Sequence, residues 1–460
     1  MSGERPLSSS FRDPSGFLFR RGDGLYRQIN RSYQTAYEKL RSGLYPALTG
    51  EGWLLPHEET AEAPAEPKEA YRVIRPQPIP FISYPYEWCF SQLQDAALLT
   101  LKIQRKALGF GMSLKDASAY NVQFLEGKPL LIDTLSFEPY REGSPWVAYR
   151  QFCQHFLGPL ALMSFRDGGL GRLLQIHLDG IPLDLADSLL PWTARCRPGL
   201  FVHLHLHAAA QRRYAETTPD PAGRKMNLSG MLGLVDHLEG TVRGLRWRSR
   251  PGEWERYLDQ HSYGAEGLEH KKQLVERFLD EIRPLPRIAW DLGANTGLFS
   301  RLASRRGIFT VAWDKEAGCV ERSYQESVRA GERNLLPLVM DLTNPSPAMG
   351  WAHREREAWL ERGSADLVLA LAILHHLTVA GHVPLDQVMA LMARAGRWLI
   401  IEFIPREDPQ VRPMLFEREG ASPDYTQAGF EKAAASSFSI RRSEQIRGTR
   451  RTLYLMEKAA

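Results

Sequence analysis

The stretch Asp291-Leu-Gly-Ala-Asn-Thr-Gly297 decides the fold of the C-terminal part of this chain. It directly follows a short apolar run at 287–290 and precedes a helical pattern at 298–305. Gly293 and Gly297 allow the sharp turn and the close backbone approach that a strand-to-helix loop needs around a ligand. The first N–H groups of the following helix can bind polar ligand atoms. The stretch therefore predicts a ligand site at the end of a strand.

Strand and helix patterns alternate after this loop. Further strands are predicted at 309–313, 336–340, 366–371 and 398–403, with a helix at 319–329 between the first two. Such alternation predicts a mostly parallel sheet with helices on both faces. The ending differs, because 438–446 and 452–456 flank a Gly-Thr-Arg-Arg turn and predict an antiparallel hairpin. The fold class is therefore α/β, with a Rossmann-like domain whose C-terminal hairpin is antiparallel.

Three aspartates mark successive strands of this sheet. Asp314 ends the second strand, Asp341 ends the third and Asp366 starts the fourth. A carboxylate in the position of Asp314 can accept hydrogen bonds from two adjacent ribose hydroxyls. Asp341 or its neighbours can meet an adenine amino group. The loop and the acidic residues together predict a nucleoside site.

This constellation resembles the class I S-adenosylmethionine-dependent methyltransferases, whose first motif is an acidic residue followed by three alternating glycines. Asn295 replaces the middle glycine, and asparagine tolerates unusual backbone angles. The spacing does not fit the G-x-G-x-x-G loop of NAD-binding domains. The resemblance covers about the last two hundred residues and implies S-adenosyl-L-methionine as the cofactor. The residues that we expect to bind it are Asp291, Gly293, Asn295, Gly297, Asp314, Asp341 and Asp366.

Two histidines follow the fourth strand, where this family places residues that face the acceptor. Methyl transfer from an activated sulfonium needs mainly proximity and alignment, and a base helps where the acceptor carries a proton. His375 and His376 are the candidate bases, and Glu402 at the end of the fifth strand is a further candidate. The alternative is that one histidine packs and the other bonds to the backbone.

The absence of certain sequence motifs narrows the possible classes of methyl acceptor. No Asn-Pro-Pro-Tyr or Asp-Pro-Pro-Tyr follows the fourth strand, which disfavours methylation of nucleobase amino groups, and no Pro-Cys pair is present there for cytosine chemistry. A small-molecule acceptor is favoured, while a protein or RNA acceptor stays open. The sequence does not indicate an oligomeric state.

The length of 460 residues predicts more than one domain. The composition changes at two segments. The segment 56–71 is typical of an exposed loop or linker, and the segment 215–225 indicates a nearby domain boundary. We therefore expect an α+β N-terminal region at 1–225, a connecting helix and linker at 226–253, and the methyltransferase domain at 254–460.

Composition and charge indicate a cytoplasmic protein without membrane partners. The 58 basic residues are nearly matched by 54 acidic ones, so the net charge of +4 does not argue for nucleic acid. No run of apolar residues is long enough to span a bilayer, and the N-terminus lacks the apolar stretch of a secretory signal. The four cysteines are far apart, so we expect reduced thiols and no structural metal.

The N-terminal half carries a second polar pattern. Asp116 is followed five residues later by Asn121, then by a predicted hairpin at 122–132 and by Asp133. This spacing resembles the catalytic hairpin of protein kinases and aminoglycoside phosphotransferases, in which these residue types position a hydroxyl and hold metal. The sequence departs from that pattern because Leu114 stands where the usual histidine would be. A polar hairpin that only shapes the substrate site is the alternative interpretation.

Another candidate in this half is His203-Leu-His-Leu-His207, whose alternate histidines would share one face of a strand and could bind zinc. No carboxylate or cysteine accompanies them in the sequence, so a metal role is disfavoured.

Taken over most of its length, the chain resembles bacterial proteins grouped with host-specific nodulation methyltransferases, which implies methyl transfer without naming an acceptor. Two alternatives remain: a bifunctional protein with a kinase-like N-terminal phosphotransferase domain, and a non-catalytic protein that only binds the cofactor.

Overall fold

A computed structural model describes residues 6–209, 226–247, 264–409, 411–412 and 424–459. The chain divides into two compact units. The first comprises Met1–Arg248 and Ala348–Arg356, and the second comprises Ser249–Pro347 and Glu357–Ala460. The predicted break at 215–225 and the predicted domain start at Trp254 lie outside the described residues.

The first unit begins with a four-stranded antiparallel sheet. Its strands, in the spatial order β1-β2-β4-β3, are β1 (Gly16–Arg21), β2 (Gly24–Asn30), β3 (His57–Thr60) and β4 (Ala70–Pro76). Two short helices, α1 (Gln34–Lys39) and α2 (Tyr45–Gly50), lie between β2 and β3 in the chain. The sheet and α1 share a core of Ile29, Tyr33, Tyr37, Ile74 and Leu135.

The prediction that 56–71 is a loop or linker is wrong, because all of β3 and the start of β4 fall within it. Glu58 pairs with Arg75, and Glu59 pairs with Ile74. β3 is an edge strand, and charged side chains on an edge strand face water. The composition of such a strand therefore resembles that of an exposed loop.

A long helix and a polar hairpin follow the sheet. The helix is α3 (Phe90–Gly109), which buries its apolar face. After it come β5 (Met112–Leu114), the predicted hairpin of β6 (Val122–Leu125) and β7 (Lys128–Leu131), and β8 (Phe137–Pro139). Strand β8 pairs antiparallel with β5, so the loop between β5 and β6 and the segment after β7 are both held at the end of α3.

The remainder of the first unit is helical. Its short helices are α4 (Tyr149–Phe152), α5 (Gly158–Phe165), α6 (Leu173–Ile176), α7 (Leu183–Leu189) and α8 (Pro198–Leu200). A longer helix, α9 (Leu228–Gly244), lies in the region where the sequence predicts a connecting helix. Its cap is Asn227, whose side chain accepts a hydrogen bond from the N–H of Gly230 at 2.9 Å.

The second unit contains a seven-stranded sheet in the order β11-β10-β9-β12-β13-β15-β14. Its strands are β9 (Ile288–Leu292), β10 (Phe309–Asp314), β11 (Leu335–Val339), β12 (Ala365–Ala370), β13 (Gly396–Phe403), β14 (Phe438–Gln445) and β15 (Thr452–Lys458). The first five are parallel, and β15 runs antiparallel to β13 and β14. The predicted α/β class and the C-terminal antiparallel hairpin are thus confirmed.

Five α-helices precede, connect or follow the parallel strands of this sheet. They are α10 (Ala265–Glu281), α11 (Ser300–Ser304), α12 (Ala317–Ala330), α13 (Leu385–Ala395) and α14 (Gln427–Ala435). The buried side of α10 packs with α11 and the sheet in the largest core of the unit, which includes Phe278, Leu367 and Ile400. In a parallel sheet of this kind, ligands bind beyond the carboxyl ends of the strands, where the strand order reverses. That reversal lies between β9 and β12.

Among the described residues, no helix is long and apolar enough to cross a membrane.

Candidate functional site

The glycine loop occupies the carboxyl end of β9. Gly293 and Gly297 have φ values of +80° and +82°, and Asn295 has +50°. Side chains other than asparagine and aspartate are strained in this region, so Asn295 fits the place of the missing glycine. A Cβ on Gly293 would lie 2.7 Å from Ile373 Cδ1, the movable end of a side chain in the segment after β12, so the positive φ is the main reason for glycine at this position.

The end of β10 holds this loop in place. The N–H groups of Gly293 and Ala294 both donate to the carbonyl of Trp313, at 2.9 and 2.8 Å. The next N–H, that of Asn295, donates to Asp314 Oδ2 at 2.8 Å. The loop is therefore shaped before any ligand binds, which reduces the entropy lost on binding.

Asp314 is the centre of this arrangement. Its Oδ1 accepts the N–H of Glu316 at 2.9 Å, and the side chain is 8% exposed. Burial raises the pKa of Asp314 against these two backbone bonds. Each carboxylate oxygen accepts more than one hydrogen bond, so the two backbone donors leave capacity for a ligand diol.

Asp291 lies within β9, two residues before Gly293, and is more deeply buried than Asp314. Ser300 Oγ donates to its Oδ2 at 2.6 Å, and burial raises the pKa of Asp291 to about 7. The carboxyl is 2% exposed, so its visible role is to tie β9 to the start of α11.

The other two predicted aspartates lie at different edges of the sheet. Asp341 follows β11 at the carboxyl end, where its Oδ1 accepts the N–H and the hydroxyl of Thr343 at 2.8 and 2.7 Å. Asp366 lies at the amino end of β12 and accepts the N–H groups of Arg287 and Ile288 at 2.7 and 3.2 Å. The carboxyl ends of parallel strands share an edge, so Asp366 does not join the others and acts in pairing β12 with β9.

The two histidines after β12 differ in exposure. His375 is 1% exposed, and its Nδ1 is buried without a hydrogen-bond partner among the described residues. His376 is exposed, and its ring centroid lies 4.2 Å from that of His375. Burial, followed by the neighbouring His376 and by the charges of Arg451 and Lys271, lowers the pKa of His375 well below its ordinary value. His375 is therefore neutral at physiological pH.

Glu402 is placed where it cannot serve as a base. It is fully buried, and Lys271 Nζ donates to its Oε2 at 2.7 Å. Arg451 Nη1 lies 3.8 Å from Glu402 Oε1, and the Nε and Nη2 of Arg451 donate to the two carboxylate oxygens of Asp408 at 2.8 and 2.9 Å. A carboxylate that is fully enclosed beside two cations has no access to an acceptor. The candidate role for Glu402 is therefore corrected to a structural one.

This buried ionic network escaped prediction from the sequence. Lys271 stands on an otherwise amphipathic helix, and Arg451 belongs to the turn of the C-terminal hairpin. A lysine or arginine in such a place is usually solvated. Only the assembled sheet brings these side chains next to Glu402.

The predicted residues of the N-terminal half do come together. Asp116 accepts the N–H of Ser118 at 2.9 Å and is hydrogen-bonded by the side chains of Asn121 and Gln151. Asn121 Nδ2 lies 3.3 Å from Ser136 Oγ, which in turn donates to Asp133. The spacing noted in the sequence thus corresponds to one polar cluster around the hairpin.

His203 and His205 lie on a π-helical turn, Phe201–Leu206, and His207 follows it in an α-helical turn, so none of the three lies on a strand. His203 bonds to Tyr149 and His237, and His205 bonds to Asp187. Among the described residues, no group of three or more His, Cys, Asp or Glu side chains is arranged to hold a metal.

The carboxyl edge of the second sheet fits S-adenosyl-L-methionine. Gly293 has no side chain, so the loop backbone is bare at this position, and Asp314 presents a carboxylate beside the loop. The reagent supplies an activated methyl group, and the protein has to hold it and align an acceptor. The strand order and this site define a class I S-adenosylmethionine-dependent methyltransferase.

No protein-family model matches the chain. It is 34% identical to the nodulation protein NoeA of Rhizobium meliloti strain 1021 over 466 residues, which cover 98% of this chain and 96% of that protein. The chain therefore belongs to the NoeA family of nodulation proteins.

Solved methyltransferase structures match the chain over less than half of its length. The N-methyltransferase NodS of Bradyrhizobium japonicum WM9, with bound S-adenosyl-L-homocysteine, is 10% identical over 46% of this chain and 94% of that one, with a TM-score of 0.33. The magnesium protoporphyrin IX methyltransferase of Synechocystis PCC 6803, with bound S-adenosylmethionine, is 17% identical over 45% and 92%, with a TM-score of 0.31.

Proposed function

We propose that the second unit methylates a small molecule and that His376 is the base that takes the acceptor's proton. The observation that carries this proposal is that the glycine loop, Asp314 and the two histidines follow the carboxyl ends of three adjacent strands. An exposed imidazole at this edge can reach an acceptor. His375, which is enclosed beside it, supports the ring of His376 without meeting the acceptor.

Within this proposal the cofactor is held by Gly293, Asn295, Gly297 and Asp314, with Asp341 near the adenine and Asp291 bracing the loop. A small acceptor agrees with the nearly balanced charge of the chain and with the missing nucleobase motifs. A cytoplasmic location agrees with the four free cysteines, three of them buried.

The test is transfer of a labelled methyl group from S-adenosylmethionine to a cell extract separated into small molecules, RNA and protein. We expect the label in the small-molecule fraction. Label found in protein or RNA instead would contradict the proposed acceptor class.

The same assay, run on purified variants, tests the base. His376→Ala should lower the rate by about 10²–10⁴, as loss of a general base does, while calorimetry shows nearly unchanged cofactor affinity. His375→Gln is the matched variant and should act mainly through stability. A native rate for His376→Ala would contradict the assignment.

A further inference from the structure

One helical segment of the first unit has its apolar side outward. The segment 198–209 consists of α8, the π-helical turn Phe201–Leu206 and a final helical turn. In a π-helical turn the backbone bonds from residue i to residue i+5, so Phe201 and Leu206 lie on the same side. Their side chains are 42% and 49% exposed, and that of Val202 is 42% exposed. We call these three residues the outer face.

The inner side of the same segment holds two histidines, and both are hydrogen-bonded there. His203 is buried and bonds to Tyr149 and His237 at 2.7 and 2.8 Å. His205 is buried and bonds to Asp187. These bonds fix the orientation of the segment, because turning it would expose the histidines and break their hydrogen bonds. The apolar outer face is therefore a stable feature of the surface.

Further apolar surface adjoins the outer face. Trp192, which is 75% exposed, begins the 3₁₀ turn Trp192–Cys196, and the exposed Leu189 ends α7. Both of these elements pack against the π-helical turn. Single exposed apolar side chains are common on soluble proteins, whereas an accumulation of five large ones between positions 189 and 206 is typical of a surface that binds a partner.

The charges along this surface have one sign. The sequence 188–214 contains four arginines and no aspartate or glutamate. Two of these arginines, Arg195 and Arg197, follow Trp192 closely in the chain and are exposed. The acidic residue before this stretch, Asp187, is buried 3.8 Å from Arg195 and so adds little negative charge to the surface. The partner that complements this surface is both apolar and anionic.

An anionic lipid membrane has this chemistry. Tryptophan prefers the boundary between water and acyl chains, aliphatic and phenyl side chains enter just below it, and arginines bind anionic headgroups. A second copy of the chain fits less well. A two-fold interface would bring the arginines of both copies together, with no acidic residue of the stretch to compensate them.

We propose that the outer face, together with Trp192, Arg195 and Arg197, binds the protein peripherally to an anionic lipid membrane. The apolar side chains enter the headgroup boundary while the histidines keep their hydrogen bonds inside the protein. The sequence-based expectation of no membrane partner rested on the absence of a long apolar run, which peripheral binding does not require. The proposal uses none of the residues assigned to methyl transfer.

Flotation of the full-length protein with lipid vesicles tests this binding. One vesicle contains phosphatidylcholine alone, and the other contains phosphatidylcholine and phosphatidylglycerol in equal parts. We expect binding to the mixed vesicles to be at least about tenfold tighter, and high salt should reduce the difference because it screens exposed charges. No binding to the mixed vesicles overturns the proposal in favour of a protein partner. Equal binding to both vesicles overturns the role of the arginines.

Two variants separate the apolar and the charged parts of the surface. Leu206→Ser and Arg197→Glu should each weaken binding to the mixed vesicles by about tenfold. Phe110→Ser and Arg31→Glu are the matched controls and should bind as the wild type does, because they make the same changes at exposed positions elsewhere in the first unit. Urea unfolding checks that each variant is as stable as the wild type. Native binding by both Leu206→Ser and Arg197→Glu overturns the proposal.

Trp192 gives a readout that does not depend on these variants. Vesicles with brominated acyl chains quench the fluorescence of a tryptophan that enters the bilayer boundary. They should quench the wild type more strongly than Trp192→Phe, which keeps an apolar ring at this position. Equal quenching of the two proteins overturns the proposed orientation. Sedimentation velocity that shows a dimer for the wild type and a monomer for Leu206→Ser overturns the proposal in favour of a second copy.

Discussion

Lys271 Nζ lies 2.7 Å from Glu402 Oε2, and neither side chain is more than 2% exposed. The two residues join α10 to the end of β13, 131 positions apart in the chain. Two charges removed from water are stable only when each satisfies the other, since desolvation costs several kcal/mol per ion. Arg451 and Asp408 extend this pair into a network at the carboxyl edge of the sheet.

This pair predicts that removing one partner lowers the free energy of unfolding much more than removing both partners together. Lys271→Met leaves Glu402 buried without its closest cation and should lower the free energy of unfolding by about 3–5 kcal/mol. Adding Glu402→Leu to it should restore much of that loss, because no uncompensated carboxylate remains. Urea unfolding of the two single variants and the double variant measures the coupling. A loss below about 1 kcal/mol for Lys271→Met would contradict a structural role.

The sequence was sufficient for the second unit because its local signals agree with its fold. The loop from Asp291 to Gly297 requires positive φ angles, which glycine and asparagine adopt readily. These residue types are visible in the sequence, so the loop could be predicted from it. Strand and helix periods alternate without a conflict, so the strands were placed within two residues of their ends.

Charged residues misled where their surroundings come from distant parts of the chain. Glu58 and Glu59 suggested a linker and turned out to form an edge strand, while Glu402 suggested a base and turned out to be enclosed. Asp366 is a residue type expected of a cofactor ligand, but it lies at the amino end of its strand. The burial of a side chain and the edge of the sheet at which it lies both depend on tertiary structure, and a single sequence does not reveal them.

Asp314 and Asp366 offer a matched test of the cofactor site. Asp314→Ala removes a charged acceptor next to the glycine loop, so cofactor affinity should fall by about 1.5–3 kcal/mol. Asp366→Asn changes an aspartate of the same sheet at the opposite edge and should leave the affinity nearly unchanged. Calorimetric titration with S-adenosylmethionine measures both. Equal losses in the two variants would mean that the effect is one of folding.

The buried histidines predict that acid destabilises the first unit. His155 is 1% exposed, and its burial, together with Arg356, lowers its pKa to about 3. The unfolded chain takes up a proton near pH 6.5, which the folded chain resists until about pH 3. The stability linked to His155 is thus complete above pH 6.5 and is lost as the pH falls towards 3, by about 1.4 kcal/mol per pH unit.

The measurement is denaturant unfolding of the wild type and of His155→Gln at pH 7.5 and at pH 5. Glutamine does not titrate, so the variant should lose less stability between the two pH values. Other buried histidines contribute equally to both proteins and cancel in the comparison. The same pH dependence in both would show that His155 is not the group that resists protonation.

A fragment that starts near Arg243 tests how far the second unit stands alone. The sheet, the glycine loop and Asp314 lie within it, so it should bind S-adenosylmethionine about as tightly as the full chain.

The fragment also carries Ala348–Arg356, which belongs to the first unit. There, Arg12 pairs with Glu355, and the guanidinium of Arg356 lies 4.3 Å from the centre of the Tyr120 ring. The fragment lacks both partners, so trypsin should cut after Arg354 or Arg356 about tenfold faster than in the full chain, because local opening governs cleavage. Full-length Tyr120→Leu is the control and should show a smaller acceleration at the same bonds. A well-folded fragment that does not bind the cofactor would mean that residues before Arg243 complete the cofactor site.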